Sequence, residues 1–468
     1  MERAGSPRGG VTLSDTSTIA SIIESYEIDP AWQRRLYELL HANPELSLQE
    51  EETHHRLLLE LSYLDCEVVA PIGKYGICAI FRNGEGRTVL HRADFDGLPV
   101  TEQTGVPYAS HKKVTTKDGE VVGTMHACGH DIHTAALVGM CHHLDNTRDK
   151  WSGTFIALFQ PGEEIGAGAE AMVDDGLVDK IPFPEVCFGQ HVMPGRAGQV
   201  MSKAGPQFAA CDSIRIRIPG RSAHGSMPHN AIDPTYTAAM IIARMQAVVG
   251  REVDPNDFAV ITVASMHAGT TNNIIPGHAE LVLNCRFYSE RTKARVYASI
   301  ERVVHAEVLA SGSTEAPTIE YFAHGELMSN DAIVYNKVRA TFDDVFGTES
   351  VNAARKTVSE DFPVLPQAFG VPYFFWLIGC TPQEQWDKAV AADRVEQDVP
   401  VNHMSTFLPE YEPTIKAATN AGLAAVLTYL AKTEDAACDV DGDEDAEDPA
   451  EAARADIGEL DLPEAEAR

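Results

Sequence analysis

Apolar residues recur at two different spacings along the chain, and the change in spacing divides the chain into parts. Between about residues 19 and 211, stretches with an apolar residue at every third or fourth position alternate with short continuous apolar runs. The first pattern is typical of amphipathic helices, and the second indicates strands that are buried on both faces. Their alternation predicts an α/β fold with a largely parallel central sheet flanked by helices. The predicted helices are 32–42, 50–64 and 131–144, and the predicted strands are 77–81, 87–91, 154–159 and 186–189.

A strict alternation of apolar and polar residues begins after residue 211. Ile214, Ile216 and Ile218 fall on one face of the segment 213–218, and two arginines fall on the other. The predicted order over the next hundred residues is β-α-β-β-α-β, which is the ferredoxin-like unit, with helices on one face of its sheet. Its strands are 213–218, 258–266, 279–287 and 318–322, and its helices are 233–249 and 291–310.

The α/β pattern returns from about residue 327 and ends in a predicted helix at 414–431. The sequence therefore predicts a small domain inserted into a larger one. The predicted divisions are a disordered N-terminus at 1–18, a larger domain at 19–212 and 326–432, an inserted domain at 213–325 and a disordered acidic tail at 433–468.

The charge of the chain argues against two classes of partner. The formal net charge is −32, and the segment from Glu434 to Arg468 holds fifteen acidic and two basic residues. A surface this acidic should repel nucleic acid and anionic membranes. The tail has few large apolar residues, which predicts disorder because it cannot bury a core.

The cysteines and the absence of targeting signals indicate a soluble cytoplasmic protein. The nine cysteines are scattered and form no Cys-x-x-Cys pair, which argues against a disulfide framework. No apolar run approaches the roughly 20 residues that span a bilayer. The first eighteen residues lack the basic start and apolar stretch of a signal peptide.

Side chains that bind metals or move protons follow three of the predicted strands and open one helix. Open α/β sheets place their ligand sites outside the carboxyl ends of strands, so these side chains can converge although they are far apart in sequence. Thiolate, imidazole and carboxylate are the ligands that zinc takes. The candidates are Asp94 and Asp96 after the strand 87–91, Glu163 and Glu164 after 154–159, His191 after 186–189, and Cys128 and His130 at the start of the helix 131–144.

Each candidate has a plainer interpretation when it is taken alone. Cys128 would be a small buried apolar residue, and adjacent Glu163 and Glu164 would form a solvated turn. Their joint occurrence at successive strand ends favours a site. Neighbouring side chains diverge, so one of the two glutamates would bind metal while the other handles protons.

Eight segments, in this order, resemble the aminoacylase, hippurate-hydrolase and auxin-conjugate amidohydrolase branch of the dinuclear-metal aminoacylase/carboxypeptidase superfamily. The ordered set is far more specific than any one motif, and it spans about residues 32–430. The segments are HRADFDGLPVTEQTG (91–105), MHACGHDIHTAALVG (125–139), FQPGEEIGAGAEAMVDDG (159–176), GQHV (189–192), GRSAHGSMPH (220–229), NNIIP (272–276), SEDFPV (359–364) and NHMSTF (402–407).

The resemblance implies a role for each matching residue. Cys128 would bridge two divalent metal ions; His130 and His191 would complete one metal site, and Glu164 and His403 the other. Glu163 would be the general base and acid, while Asp94 and Asp96 would lie close to the metals without binding them. On the inserted domain, His224 would stabilise the oxyanion, and Asn273 and Arg286 would hold the substrate carboxylate. The segment before His403 lacks the glycine-containing run of the family.

The resemblance also implies a zinc-exopeptidase-like catalytic domain whose inserted domain serves as lid and dimer interface. The implied reaction is hydrolysis of the amide bond of an N-acyl amino acid by a hydroxide held on the metals. The thiolate favours zinc, and manganese or cobalt would fit the other ligands. Two alternatives stay open: a dipeptidase or carboxypeptidase on the same scaffold, and an inactive binding protein. The sequence also leaves open whether His126 or His133 supports the ligands.

Overall fold

The structure is a computed structural model, and it describes residues 13–115 and 119–432. The acidic tail predicted at 433–468 lies outside the described residues, as do residues 1–12. The first helix begins at Leu13, within the stretch 1–18 for which the sequence predicts disorder. No helix in the described ranges has both the length and the apolarity needed to cross a membrane.

Helices and strands alternate along the described chain. The helices are α1 Leu13–Glu24, α2 Pro30–Ala42, α3 Glu51–Leu61, α4 His130–Asn146, α5 Gly168–Asp174, α6 Leu177–Lys180, α7 Pro234–Glu252, α8 Glu290–Ala310, α9 Ala332–Phe346, α10 Val364–Phe369, α11 Gln383–Ala391, α12 Val395–Asp398 and α13 Tyr411–Leu430, with 3₁₀ helices at Glu163–Ile165, Pro228–Asn230 and Gly347–Glu349. The strands are β1 Glu67–Ile72, β2 Gly76–Asn83, β3 Thr88–Asp94, β4 Lys113–Thr115, β5 Val121–Gly123, β6 Gly153–Gln160, β7 Val186–Arg196, β8 Val200–Ser202, β9 Gly205–Phe208, β10 Ala210–Pro219, β11 Ala223–His224, β12 Ala259–Ala268, β13 Ile274–Ile275, β14 His278–Phe287, β15 Thr318–Gly325, β16 Met328–Asn330, β17 Ser350–Asn352 and β18 Tyr373–Thr381.

The larger sheet has eight strands in the order β1-β2-β6-β3-β7-β18-β8-β17 and is mixed. Its central strands β6, β3, β7 and β18 run parallel to one another. The pairs β1–β2, β2–β6 and β18–β8 are antiparallel. The parallel character predicted from the sequence therefore describes the four central strands. The edges are mixed: β8 and β17 are parallel, whereas β1 and β2 are antiparallel because so short a connection can only join antiparallel strands.

Helices cover both faces of this sheet, which explains why its strands are apolar throughout. On β2, Ile77 and Phe81 enter the core that includes residues of α2, α4 and α13. Cys78 and Ile80, which point to the opposite face, join the core that includes residues of α5 and α10. A strand buried on both faces shows a continuous apolar run rather than alternation, as in the sequence of β2.

A second, four-stranded sheet is built between residues 210 and 325 and has its own apolar core. Its strand order is β12-β14-β10-β15, and all three neighbouring pairs are antiparallel. Ile214, Ile216 and Ile218 are fully buried against apolar residues of α7 and α8. Along the chain the main elements follow the order β10-α7-β12-β14-α8-β15, with the short strands β11 and β13 between them.

Candidate metal centre

Two neighbouring parallel strands end at the edge of the large sheet where acidic side chains collect. β3 ends at Asp94 and β6 ends at Gln160, and these two residues are partners in the sheet register. After Gln160 the chain turns into a short 3₁₀ helix that carries Glu163 and Glu164. The backbone N–H of Glu164 donates to Asp96 Oδ2 at 3.0 Å, so the acidic segments that follow the two strands are joined directly.

His191 lies within β7 and not beyond its end. The sequence predicts a strand that stops at residue 189, whereas β7 continues to Arg196 because β18 pairs with it from Cys187 onward. The pairing of β7 with β3 ends at Gly189, opposite Arg92. The side of β7 that faces β3 is therefore unpaired at His191, next to the residues that follow β3.

A left-handed glycine delivers Cys128 and His130 to the site. Gly129 has φ 83° and ψ 22° and immediately precedes α4, which begins at His130. A Cβ atom at this position would lie 2.3 Å from Val192 Cγ2. Both the backbone conformation and the space therefore require glycine between the two candidate ligands.

The five predicted metal ligands form one connected cluster. Cys128 Sγ lies 3.4 Å from His191 Nε2, and His403 Nε2 lies 3.3 Å from Glu164 Oε2. His130 Nε2 lies 3.8 Å from Glu164 Oε1. The ligand atoms of Cys128, Glu164 and His403 all lie within 4.8 Å of one another, a spacing that suits a shared cation.

Two of these histidines are held with Nε2 free to bind a metal. The Nδ1–H of His191 donates to the carbonyl oxygen of Val192 at 2.7 Å. The Nδ1–H of His130 donates to Asp96 Oδ1 at 3.0 Å, and Ser47 Oγ donates to Asp96 Oδ2 at 2.7 Å. A carboxylate or carbonyl on one ring nitrogen fixes the tautomer that offers the other nitrogen as a ligand.

The donor set fits divalent cations. His130 Nε2 and Glu164 Oε1 are buried and have no hydrogen-bond partner among the described residues. Buried polar atoms are nearly always paired, so two unpaired atoms 3.8 Å apart indicate a missing positive partner. Thiol, imidazole and carboxylate together are the ligand chemistry of zinc and its neighbours in the first transition row.

The two glutamates of the 3₁₀ helix have raised pKa values. Burial, followed by the negative charges of Glu360 and Glu164, holds the pKa of Glu163 well above its usual range. Burial also raises the pKa of Glu164 to about 7, with a smaller contribution from Asp96. A carboxyl group that can both hold and release a proton near neutral pH suits a general acid and base.

A buried arginine neutralises part of this negative charge; no role is predicted from the sequence for Arg92 or for two of its acidic partners, Glu360 and Asp361. Arg92 donates to Asp94 Oδ2 at 2.7 Å, to Glu360 Oε1 at 2.8 Å and to Asp361 Oδ1 at 3.1 Å. Glu360 and Asp361 lie in the matched segment 359–364, and their ligand atoms are within 4.8 Å of those of Glu163. In the sequence, the pair of adjacent acids at 360 and 361, directly before an apolar segment, was the feature that could have indicated a role in the site.

His133 is held by hydrogen bonds on both ring nitrogens. Its Nδ1–H donates to Asp94 Oδ1 at 2.5 Å, and its Nε2 accepts from the backbone N–H of Val192 at 2.9 Å. A nitrogen that accepts a hydrogen bond has no lone pair left for a metal, so His133 supports the site through Asp94. His126 is buried as well, and neither of its ring nitrogens has a hydrogen-bond partner in the part of the chain that the structure describes.

Comparison with known proteins identifies the family. Residues 90–398 match the family described as Peptidase family M20/M25/M40. The chain belongs to this family.

Relatives and solved structures of the M20 family agree with this assignment. The chain is 34% identical over 364 residues to the N-acetylcysteine deacetylase of Bacillus subtilis (strain 168), covering 76% of this chain and 91% of that protein. It is 35% identical over 294 residues to the N-acyl-L-amino acid amidohydrolase of Geobacillus stearothermophilus, covering 62% and 75%. The crystal structure of Bacillus subtilis YXEP protein, a dinuclear metal binding peptidase from the M20 family, superposes with a TM-score of 0.69 at 28% identity, covering 86% of this chain and 99% of that one. As an M20 protein, the chain is a metal-dependent amidohydrolase.

His403, the last predicted ligand of this M20 protein, has a strained backbone. Its φ of 74° lies in the left-handed region, which costs a non-glycine residue of order 1–3 kcal/mol. The conformation is held by the backbone N–H of His403, which donates to Ala127 at 2.8 Å, and by Asn402 Nδ2, which donates to Val192 at 3.1 Å. The loop is thereby fixed to both sides of the cluster.

The three residues predicted to hold substrate from within 213–325 are not brought to the M20 metal cluster. His224 is exposed, and its Nδ1 pairs with Ser226 Oγ at 2.8 Å; Asn273 lies beside it because Gly225 donates to its carbonyl at 2.7 Å. Arg286 donates to Asn284 Oδ1 at 3.2 Å, and its Nη1 is buried without a partner among the described residues. No hydrogen bond or ion pair joins these three residues to the cluster within the described ranges.

Proposed function

We propose that this M20 protein hydrolyses the amide bond of N-acyl amino acids, releasing a carboxylic acid and a free amino acid. The observation that carries the proposal is that five metal-binding side chains lie together in one cluster. Two of their ligand atoms, His130 Nε2 and Glu164 Oε1, are buried and have no hydrogen-bond partner among the described residues. Relatives named N-acetylcysteine deacetylase and N-acyl-L-amino acid amidohydrolase, which the chain matches over most of their length, support the substrate class.

We propose that two divalent ions would be held here, one by His130 and His191 and the other by Glu164 and His403, with Cys128 as a ligand common to both. When bound, the ions would polarise the acyl carbonyl and make water acidic enough to attack at neutral pH. The thiol favours zinc, and manganese or cobalt fit the imidazole and carboxylate ligands. Asp96 keeps His130 in the required tautomer. Asp94 already accepts a hydrogen bond on each oxygen, one from Arg92 and one from His133, and so would lie beside the ions without binding them.

Glu163 is the proposed proton carrier. It is the glutamate of the 3₁₀ helix that lies among Glu360 and Asp361, and these acids help to raise its pKa. It accepts a proton from the attacking water and passes it to the amide nitrogen, so the leaving group departs as an amine. The net reaction adds one water across the carbon–nitrogen bond.

The inserted domain, residues 213–325, is the proposed lid and dimer interface. Asn273 and Arg286 would bind the substrate carboxylate, for which an arginine with an unpaired buried Nη1 is suited. His224 would stabilise the developing oxyanion. Because the three residues lie apart from the cluster, they reach the substrate by movement of this domain, or His224 is supplied by a second copy of the chain.

We also assign the protein to the cytoplasm. The eight cysteines that the structure describes are all free, which supports a reducing compartment.

The proposal is tested by assaying release of free amino acid from N-acetyl, N-benzoyl and long-chain N-acyl amino acids, with unblocked dipeptides alongside. Each substrate is assayed with the protein as prepared, after chelation and after zinc or manganese is restored. We expect chelator-sensitive release from the acylated set. Release from dipeptides alone would move the protein to the peptidase branch, and no release from protein that holds two metals would overturn the proposal.

The same assay tests the role of Glu163. Glu163→Gln removes the proton acceptor and keeps the shape, so turnover should fall by about 100-fold or more, the usual range for general acid–base catalysis. The bound metal should stay. Glu170→Gln, an exposed glutamate in the next helix, is the matched control and should keep full activity.

A further inference from the structure

A second buried charge cluster lies apart from the metal ligands and is not used by the chemistry above. His41, in the last turn of α2, is 1% exposed. Its Nδ1 lies 2.7 Å from Asp131 Oδ2, and its Nε2 lies 3.0 Å from Glu102 Oε1. The side chains of both partner acids are as buried as the histidine.

His41 can serve both acids only as a cation, because each ring nitrogen must then donate a proton. Burial opposes the charge, but the hydrogen bonds to Asp131 and Glu102 outweigh it and raise the pKa of His41 to about 10. The rings of Tyr37 and Tyr108 pack against the imidazole, with centroids 5.5 and 5.2 Å away. The remaining hydrogen bonds come from Thr104 Oγ1 and the Ser110 backbone N–H to Glu102, and from the Ile132 N–H to Asp131.

One partner leads to the first metal position. Asp131 follows His130 directly in the first turn of α4. His41 therefore fixes the turn that carries this candidate ligand and, through Gly129, the neighbouring thiol of Cys128.

The other partner leads to the second metal position. Glu102 precedes Gln103, whose backbone N–H donates to the carbonyl of Ser405 at 2.8 Å and whose Oε1 accepts from Ser405 Oγ at 3.3 Å. Ser405 lies two residues after His403 in the same loop. Glu102 thus fastens the segment on which the strained loop of His403 rests.

We propose that His41 is a positioning residue for the metal centre, in which one buried cation bridges two carboxylates and so holds the segments of His130 and His403 at a fixed separation. The proposal rests on the ligand assignment made under the proposed function. It predicts that each hydrogen bond of His41 serves a different metal position.

Two substitutions separate the two hydrogen bonds. The amide nitrogen of asparagine can replace Nδ1, so His41→Asn keeps the donor to Asp131 and loses the one to Glu102. The amide nitrogen of glutamine can replace Nε2, so His41→Gln keeps the donor to Glu102 and loses the one to Asp131. Zn²⁺ binding is measured by competition with a chelator of known affinity, and the stability of the metal-free protein is measured separately by urea denaturation.

We expect one of the two zinc ions to bind about 10–100-fold more weakly in each variant, as is typical for the loss of a residue that orients a metal ligand. His41→Asn should weaken the zinc held by Glu164 and His403. His41→Gln should weaken the zinc held by His130 and His191, and adding His130→Ala or His403→Ala identifies which ion is affected. If either variant fails to fold, Glu102→Gln turns the ion pair at the same contact into a neutral hydrogen bond and should weaken the zinc held by Glu164 and His403 by a smaller factor than His41→Asn.

His143→Gln is the matched control, because His143 is equally buried on α4 but at the opposite end from the ligands. It should lower the stability of the metal-free protein and leave both zinc affinities unchanged. Wild-type zinc affinities in folded His41 variants would overturn the proposal and leave His41 a residue of the core. Wild-type protein that binds fewer than two zinc ions would instead overturn the ligand assignment, and the role of His41 with it.

Discussion

Cys128 shows how strongly a single residue depends on the bound ion. In the protein alone, burial and then the charge of Glu164 hold the pKa of the thiol well above its usual range. A coordinated thiol is deprotonated outright, so the same burial that disfavours a free thiolate makes it a strong ligand. The residue therefore binds as a thiolate only together with its metal.

Replacing Cys128 by alanine should therefore release the metals. We expect zinc affinity to fall by more than about 100-fold. Loss of a residue that only orients a metal ligand costs up to about 100-fold in affinity, and loss of a ligand itself should cost more. Metal content after dialysis against a weak chelator measures it. Cys141→Ala removes a fully buried cysteine from α4, the helix that follows Cys128, and this variant should keep both ions. Equal loss of metal from both variants would mean that the helix, and not the thiol, governs binding.

The sequence predicted which residues collect at this site better than it predicted what each one does. Asp94, Cys128 and Glu164 stand at ends of elements, where sequence patterns are informative. The role of His133 depends on the backbone N–H of Val192, which β7 supplies from 59 positions away. A hydrogen bond between residues so far apart in sequence cannot be predicted from local residue spacing, and the same holds for the ion pair between Arg92 and Glu360.

The segments that join the second sheet to the first are irregular, which suits a hinge. Cys211 pairs with Gly325, and the register shifts before Ser213 pairs with Phe322. Ala323 has φ 49°, in the left-handed region that is unfavourable for alanine. His324 lies beside this shift with Nδ1 2.6 Å from Asp212 Oδ1 and Nε2 2.9 Å from Glu326 Oε1.

This histidine should stabilise the hinge only below alkaline pH. The hydrogen bonds to Asp212 and Glu326 raise the pKa of His324 from 6.5 to about 9. A raised histidine pKa contributes stability that is complete below pH 6.5 and is lost as the pH rises through about 9. His324 is half exposed, so its contribution should be at most about 1 kcal/mol.

His324→Gln should accordingly lower the free energy of unfolding at pH 6 and leave it nearly unchanged at pH 10. Urea denaturation at both pH values measures the difference, with exposed His305→Gln as the control. Lys293 and Tyr297 also contact Asp212 and remain in the variant, so the acid is not left unpaired. If the variant and the wild type differ in free energy of unfolding by the same amount at pH 6 and pH 10, the ion pair of His324 is contradicted.

The longer elements were predictable and the short ones were not. The predicted helix 291–310 and strand 279–287 differ from α8 and β14 by one residue at their first positions. β8, β16 and β17 have three residues each, too few for a periodic pattern. Two of them, β8 and β17, complete one edge of the large sheet, so its mixed character could not be predicted from the central strands alone.

At the scale of the whole molecule, the metal centre is a concentration of buried negative charge. Arg92 is the permanent positive charge that contacts the acid at the end of β3 and those before α10. Burial raises the pKa values of Glu163 and Glu164, which means that folding opposes their ionisation. Divalent cations would remove this cost, and so metal binding and folding are coupled.

The free energy of unfolding of the metal-free protein should therefore fall as the pH rises from about 4.5 to about 7. The pKa of Glu164 is near 4.5 in the unfolded chain and near 7 in the folded protein. The unfolded chain therefore loses this proton at lower pH, and the unfolded state becomes more favourable relative to the folded state as the pH rises. With zinc bound the carboxylate is the preferred form, and this loss should disappear. Free zinc at 100 times its dissociation constant should add about 2.7 kcal/mol for each independent site. Thermal denaturation in chelator and in a zinc buffer, at pH 5.5 and pH 8, measures both effects; a zinc-induced rise in Tm that is no larger at pH 8 than at pH 5.5 would contradict the coupling.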